Sequence, residues 1–120
     1  MSDLRHLVGQ NGENRAVEYL EKKGFKIIDR NWRTKYGEID IIVSKDNFII
    51  FVEVKTLPHG TFDTLEHILG SVKQKRIIET SKYFLDKFRQ YNNSYIRFDV
   101  LVVDMPGFEP IYHIENAFSE

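Results

Sequence analysis

Apolar residues change their spacing several times along this chain, and each change marks an element. Near the N-terminus Glu13, Ala16, Val17 and Leu20 follow the i, i+3, i+4, i+7 rhythm of one helix face. This predicts a helix over about residues 2–23, with an interruption near Gly9 and Gly12 and a stop at Gly24. Residues 25–28 predict a short strand, and the polar, aromatic stretch 30–36 a strand or an extended loop. Residues 38–44 and 48–56 predict two strands joined at Asp46-Asn47, residue types that tolerate the left-handed backbone of a tight hairpin. The second of these strands is apolar almost without interruption, the signature of a central strand buried on both faces. Residues 57–64, with Pro58 and Gly60, predict a loop. A long helix over about 69–90 follows, its inner face marked by Ile77, Ser81, Phe84, Leu85 and Phe88. Residues 95–103 predict another strand, with Ile96, Phe98, Val100 and Val102 on one side. Met105-Pro106-Gly107 turns the chain into a final edge strand over 111–114. The order predicts one α/β domain, a mixed central sheet flanked by helices.

Composition narrows the chemistry. The chain has 120 residues and no cysteine, which excludes disulfides, thiolate metal sites and a cysteine nucleophile. The polar N-terminus lacks the apolar stretch of a signal peptide, and the longest apolar runs are far too short to cross a bilayer. A cytoplasmic protein is expected. The net charge of −1 argues against a generally basic nucleic-acid coat. The charges are uneven, however. Arg30, Arg33 and Lys35 cluster, as do Lys73, Lys75 and Arg76, whereas the last seventeen residues hold four acids and no Lys or Arg.

Three charged residues stand where strands should be apolar. Asp40 lies within Ile39-Asp40-Ile41-Ile42, and Glu53 and Lys55 within Val52-Glu53-Val54-Lys55. Burying an ion costs roughly several kcal/mol even after relaxation, so something must offset it. In a strand Glu53 and Lys55 emerge on one side. If Asp46 and Asn47 form a two-residue loop, Lys45 faces Phe48, Asp40 faces Glu53 and Glu38 faces Lys55. Directly opposed Cβ atoms lie about 4.5–5.5 Å apart, so two carboxylates there repel unless a cation joins them. Two carboxylates suit Mg²⁺, with Mn²⁺ as an alternative. Such a cation generates hydroxide, polarises phosphorus and neutralises the leaving oxygen. Lys55 would hold or deprotonate the attacking water, or stabilise developing charge. The competing reading is a surface Glu–Lys pair at a strand end with a turn-proximal aspartate. Glu13, on the apolar stripe of the first helix, either reaches this cation or its waters, or serves the helix dipole.

The stretches Gly9-Gln10-Asn11-Gly12-Glu13-Asn14-Arg15-Ala16, Asn31-Trp32-Arg33, Tyr36-Gly37-Glu38-Ile39-Asp40-Ile41-Ile42, Phe51-Val52-Glu53-Val54-Lys55 and Arg97-Phe98-Asp99-Val100 resemble, in order and over nearly the whole chain, the YraN-like family. That endonuclease-like group is similar to the PD-(D/E)xK nuclease superfamily. The resemblance implies a restriction-endonuclease-like fold and metal ligands at Asp40 and Glu53. It also implies a helix acid at Glu13 and a catalytic lysine at Lys55. It further implies DNA as substrate, with branched DNA suggested by analogy to Holliday-junction resolvases. One departure stands out. Thr56-Leu57-Pro58 follows the lysine where the family often places an arginine, so a phosphate contact there is absent or supplied elsewhere.

Secondary candidates for nucleic-acid contact are Arg33, Lys73, Lys75 and Arg76, each with solvated surface charge as the alternative. Trp32 is expected to pack, and Asp99 to pair with a basic neighbour. The four histidines show no metal-ligand spacing, and only His59, near the end of the catalytic strand, merits attention. The leading expectation is a Mg²⁺- or Mn²⁺-dependent DNA endonuclease. The alternatives are a binding module on a nuclease fold and an interaction protein with a structural cation. So small a nuclease is expected to work as a homodimer.

Overall fold

The computed structural model describes residues 3–120, with side chains from Leu7 onward. The expected helix start at Ser2 lies outside the described residues. Helix α1 (Asp3–Lys22) is followed by β1 (Lys26–Thr34), β2 (Gly37–Lys45) and β3 (Phe48–Thr56). Helices α2 (Phe62–Ile68) and α3 (Ser71–Lys87), then β4 (Tyr95–Val103) and β5 (Ile111–Phe118), complete the chain. The five strands form one sheet in the order β1-β2-β3-β4-β5. Only the β3–β4 neighbours are parallel, and the α2–α3 crossover joins them. This is the mixed sheet between helices expected of a restriction-endonuclease-like fold.

The layers follow from strand alternation. Ile41, Val43, Ile50, Val52, Val54, Leu101 and Val103 meet Ala16 and Leu20 of α1. Ile42, Ile49, Phe51 and Phe98 point the other way, onto Ile77, Ile78 and Phe84 of α3. Val100 and Val102 face Leu65 of α2 and Leu69 just beyond it. Strand β3 is therefore buried on both faces, as its sequence predicts.

Five elements depart from expectation. Helix α1 runs unbroken through Gly9 and Gly12. Gly12 is buried where α1 crosses β3, and a Cβ there would collide with Oγ1 of Thr56, so the glycine permits contact rather than ending the helix. Strand β1 is a single nine-residue strand with a bulge between Ile27 and Asp29, not a short strand followed by a separate segment. The expected loop ends at Phe62, where α2 begins. Thr61 and Thr64 cap its N-terminus reciprocally through backbone N–H and hydroxyl groups, each at 3.3 Å. Gly70 then separates α2 from α3, so the expected single helix over 69–90 is shorter and ends at Lys87. Strand β5 extends to Phe118, beyond the expected 114, and turns through Asn116 at φ 52°.

Candidate active site

The β2–β3 hairpin has the expected register. Asp46 and Asn47 both adopt positive φ (49° and 72°), the loop of a type I′ turn, and Lys45 faces Phe48. Pairing continues to Ile41–Val52 and stops there, although both strands go on. The expected facing pairs Asp40–Glu53 and Glu38–Lys55 are therefore not part of the ladder, although Asp40 and Glu53 remain neighbours. Glu38 faces Arg33 on β1 instead, and their side chains approach to 3.4 Å.

The break is local to Asp40. Ile39 and Ile41, two residues apart, belong to opposite cores, so the alternation slips between them. On the other side, the register Arg30–Ile41 and Trp32–Ile39 leaves Asn31 opposite Asp40, with its backbone at φ 52°. Asp40 consequently directs its carboxylate into the gap between β2 and β3. Its Oδ2 accepts from the Val54 N–H at 2.8 Å, replacing the missing ladder carbonyl.

The next residue along the unzipped strand is Glu53, only 4% exposed. Burial raises the Asp40 pKa to about 8, helped by the Glu53 charge and by a hydrogen bond between the two carboxyl groups, with the Val54 N–H opposing. Below that pH Asp40 keeps its proton. Oε2 of Glu53 also lies 3.4 Å from Nζ of Lys55 and 3.3 Å from Nζ of Lys73 on α3. Two lysines thus flank one buried carboxylate.

Glu13 approaches from α1. Burial raises its pKa, while Arg30 and a hydrogen bond from Asn31 pull it down and the fields of Glu38 and Glu53 push it up. Arg30 stands 3.8 Å from Glu13 and donates to Asn14 Oδ1 at 2.7 Å. Its buried Nε lacks a hydrogen-bond partner among the described residues. Between α1 and the strand ends lies an open cleft of about 450 Å³, lined by Gly9, Glu13, Asp40, Val54, Lys55 and Thr56 among others. Glu13, Asp40, Glu53 and Lys55 are thereby gathered at one end of the sheet.

Asp40 and Glu53 are two hard-oxygen donors, and the field of Glu53 helps Asp40 to keep its proton. Replacing that proton with a cation would relieve their repulsion, so the residues fit a divalent ion completed by water. Among the described residues no three carboxylates or imidazoles converge closely enough to enclose one unaided.

The secondary candidates divide. Lys73 reaches the site through Glu53. Arg76 is exposed and lies beside Gly37 at the start of β2. Lys75 faces a different hollow, beside Ser119 and Glu120. Arg33 is exposed and pairs with Glu38. Trp32 packs edge-on against Phe84, with ring centroids 5.4 Å apart. His59 is exposed in the turn after β3. Asp99 accepts from Nε and Nη2 of Arg97, each at 2.8 Å, as its sequence neighbours suggest. The sequence reading missed Asn31 and Arg30 as partners of Glu13. Their only signal was the break that an asparagine makes in a strand.

Residues 12–103 match the Uncharacterised protein family UPF0102. A UPF0102 protein of Treponema pallidum is 46% identical over 118 residues, covering 95% of this chain and 94% of its own. One from Acinetobacter baylyi is 41% identical over 101 residues, covering 84% and 72%. One from Vibrio parahaemolyticus is 35% identical over 113 residues, covering 94% and 93%. The matched family stretch contains Glu13, Asp40, Glu53 and Lys55.

Proposed function

This chain belongs to the uncharacterised protein family UPF0102, and we propose that it is a metal-dependent nuclease hydrolysing phosphodiester bonds of DNA in the cleft beside Asp40. The observation that carries the reading is geometric: Asp40 and the buried Glu53 sit at an interrupted hairpin, with Nζ of Lys55 and of Lys73 at 3.4 and 3.3 Å from the Glu53 carboxylate. The resemblance of these positions to the PD-(D/E)xK pattern supports it.

In this reading Asp40 and Glu53 hold Mg²⁺ or Mn²⁺. Bound there, the cation supplies Lewis acidity toward the phosphate and favours ionisation of water. The chain's residues do the rest. The Val54 N–H fixes the Asp40 carboxylate, so this donor is oriented before any ligand arrives. Lys55 stands beside Glu53 at the cleft and holds or deprotonates the attacking water. Lys73 neutralises Glu53 in the free protein. It turns to a phosphate oxygen when that carboxylate is otherwise engaged, providing the cationic contact that Thr56 cannot supply. Glu13, steadied by Arg30 and Asn31, orders water on the cleft side.

The test is a nicking assay on duplex, branched and single-stranded DNA with Mg²⁺ and with Mn²⁺. Wild type should cut at least one substrate, and Asp40→Ala and Lys55→Ala should each lower the rate by about 100-fold or more. No cutting under any of these conditions would sink the catalytic reading. Salt-dependent binding that persists in Glu53→Gln without cutting would instead make the chain a binding module.

A further inference from the structure

Tyr36, in the β1–β2 turn, and Tyr83, on α3, stack nearly parallel, with centroids 5.0 Å apart and planes 12° from each other. Both remain exposed, at 48% and 45%. The pair is held in place from behind. The Tyr36 N–H donates to Thr34 Oγ1 at 3.0 Å, and at Gly37 a Cβ would press into Thr80 and Arg76 of α3. Lys35 carries its ammonium 5.2 Å from the centre of the Tyr36 ring.

This aromatic step is joined to the candidate site by a helix face. Lys73, Arg76, Thr80 and Tyr83 follow the spacing i, i+3, i+7, i+10, so they form one stripe along α3. The stripe begins at Glu53, which Lys73 touches, passes Gly37 at Arg76 and Thr80, and ends at the tyrosines. It covers about 15 Å of helix, and the parallel path along β2 from Asp40 to Tyr36 covers about 13 Å. Glu38 and Glu79 border this path, but Arg33 and Lys82 engage them at 3.4 and 3.3 Å. Lys35 and Arg76 make no ion pair among the described residues.

We propose that the Lys73–Arg76 stripe and the Tyr36–Tyr83 step form a track for an unpaired DNA strand leading away from the cleft. A nucleotide joins an anionic phosphate to a flat base at short range, and Lys35 over Tyr36 presents the complementary charge and ring together. Duplex DNA hides its base faces within the stack, so only unpaired nucleotides can use an aromatic step in this way. The track deepens the nuclease reading, on which its place beside the cut rests. It makes the preferred substrate one with a single-stranded segment adjoining the scissile bond.

The experiment measures binding without cutting. Fluorescence anisotropy with a labelled oligo-dT and a blunt duplex of equal length, both in chelator, compares wild type with Tyr36→Ala/Tyr83→Ala and Tyr36→Phe/Tyr83→Phe. The alanine pair should lose roughly 5- to 100-fold in affinity for oligo-dT. Its duplex affinity should change less than about 2-fold, and the phenylalanine pair should bind as wild type does. Photo-crosslinking of a 5-bromodeoxyuridine oligonucleotide to wild type, mapped by mass spectrometry, needs no variant and should mark Tyr36 or Tyr83. Crosslinks elsewhere, wild type that fails to bind oligo-dT, or equal losses on both DNAs would overturn the track. Tyrosine-dependent binding without metal-dependent nicking would retain the track and reject the nuclease. Nicking without tyrosine-dependent binding would do the reverse.

Discussion

Asp40 is held where its charge is disfavoured. Its pKa rises from 3.8 to about 8, first because it is buried and then because Glu53 lies against it. The sign of the consequence is fixed. A carboxyl with a raised folded pKa contributes most below its unfolded value and loses that contribution as pH climbs through the folded one. Without cations, wild type should therefore lose stability at this site between about pH 4 and pH 8. Asp40→Asn keeps an oxygen for the Val54 N–H and has no charge to bury. In thermal melts in chelator its advantage over wild type should grow from pH 4 to pH 9 by at least about 1 kcal/mol, roughly 4 °C. A constant gap would mean that Asp40 ionises freely. Cation binding at Asp40 must also expel its proton. Titration calorimetry should then show Mg²⁺ affinity rising with pH up to about 8 and levelling off beyond, and a flat profile would remove Asp40 from the ligand set. At this scale much was legible. An acid in each of two neighbouring apolar strands, joined by Asp46-Asn47, sufficed to read the register. The sequence did not reveal that the ladder ends at Ile41–Val52, short of Asp40–Glu53 and Glu38–Lys55, because that depends on Asn31 from β1 entering left-handed backbone opposite Asp40.

The two glycines of α1 show how an element can mislead a pattern reading. Both looked like breaks, and neither is. Gly9 has open space around the position of a Cβ, whereas at Gly12 that Cβ would strike Thr56 and approach Val103. Alanine favours a helix interior over glycine by about 1 kcal/mol. Gly9→Ala should collect that gain in urea unfolding. Gly12→Ala should lose more than it gains, because separating α1 from β3 costs about 1–3 kcal/mol, and it should also shift Glu13 relative to Asp40. Equal stabilisation by both substitutions would show that the α1–β3 contact yields readily. Strands β2, β3 and β4 and helix α3 were legible because their periods run for nine residues or more. Helix α2 was not. Seven residues hold too few turns for a period to emerge, and its start is announced only by Thr61 and Thr64, which are as common in loops. Gly70 stands at the start of the expected helix over 69–90, and it is the N-cap residue of α3.

Across the whole molecule, two interrupted ladders carry opposite electrostatics. At β4–β5 the register shifts between Phe98 and Val100, Asn116 takes φ 52°, and Asp99 Oδ1 accepts the Asn116 N–H at 3.0 Å. This repeats the use of an in-strand aspartate at Asp40, but the surroundings differ. Burial pushes the Asp99 pKa up, and hydrogen bonds from His113, Arg97 and Asn116 outweigh it, leaving the group below the usual carboxylate range. His113 Nε2 lies 2.7 Å from Asp99 Oδ2, and its Nδ1 is 3.3 Å from the Tyr19 hydroxyl, which ties β5 to α1. The network thus anchors the edge strand and the helix that carries Glu13. Here the stabilisation is present above the unfolded pKa of about 4 and is lost as pH falls through the depressed folded value. Asp99→Asn leaves Arg97 and His113 facing a neutral amide in a buried setting, which should cost about 3–5 kcal/mol at pH 7. The deficit should shrink toward zero in strong acid, where wild-type Asp99 is itself protonated. Urea unfolding of the two proteins from pH 2 to pH 8 measures this directly. A deficit independent of pH would mean that Asp99 acts through shape rather than charge. The two aspartates also separate by ligand, since Mg²⁺ should raise the stability of Asp99→Asn and wild type alike but leave Asp40→Asn nearly unchanged.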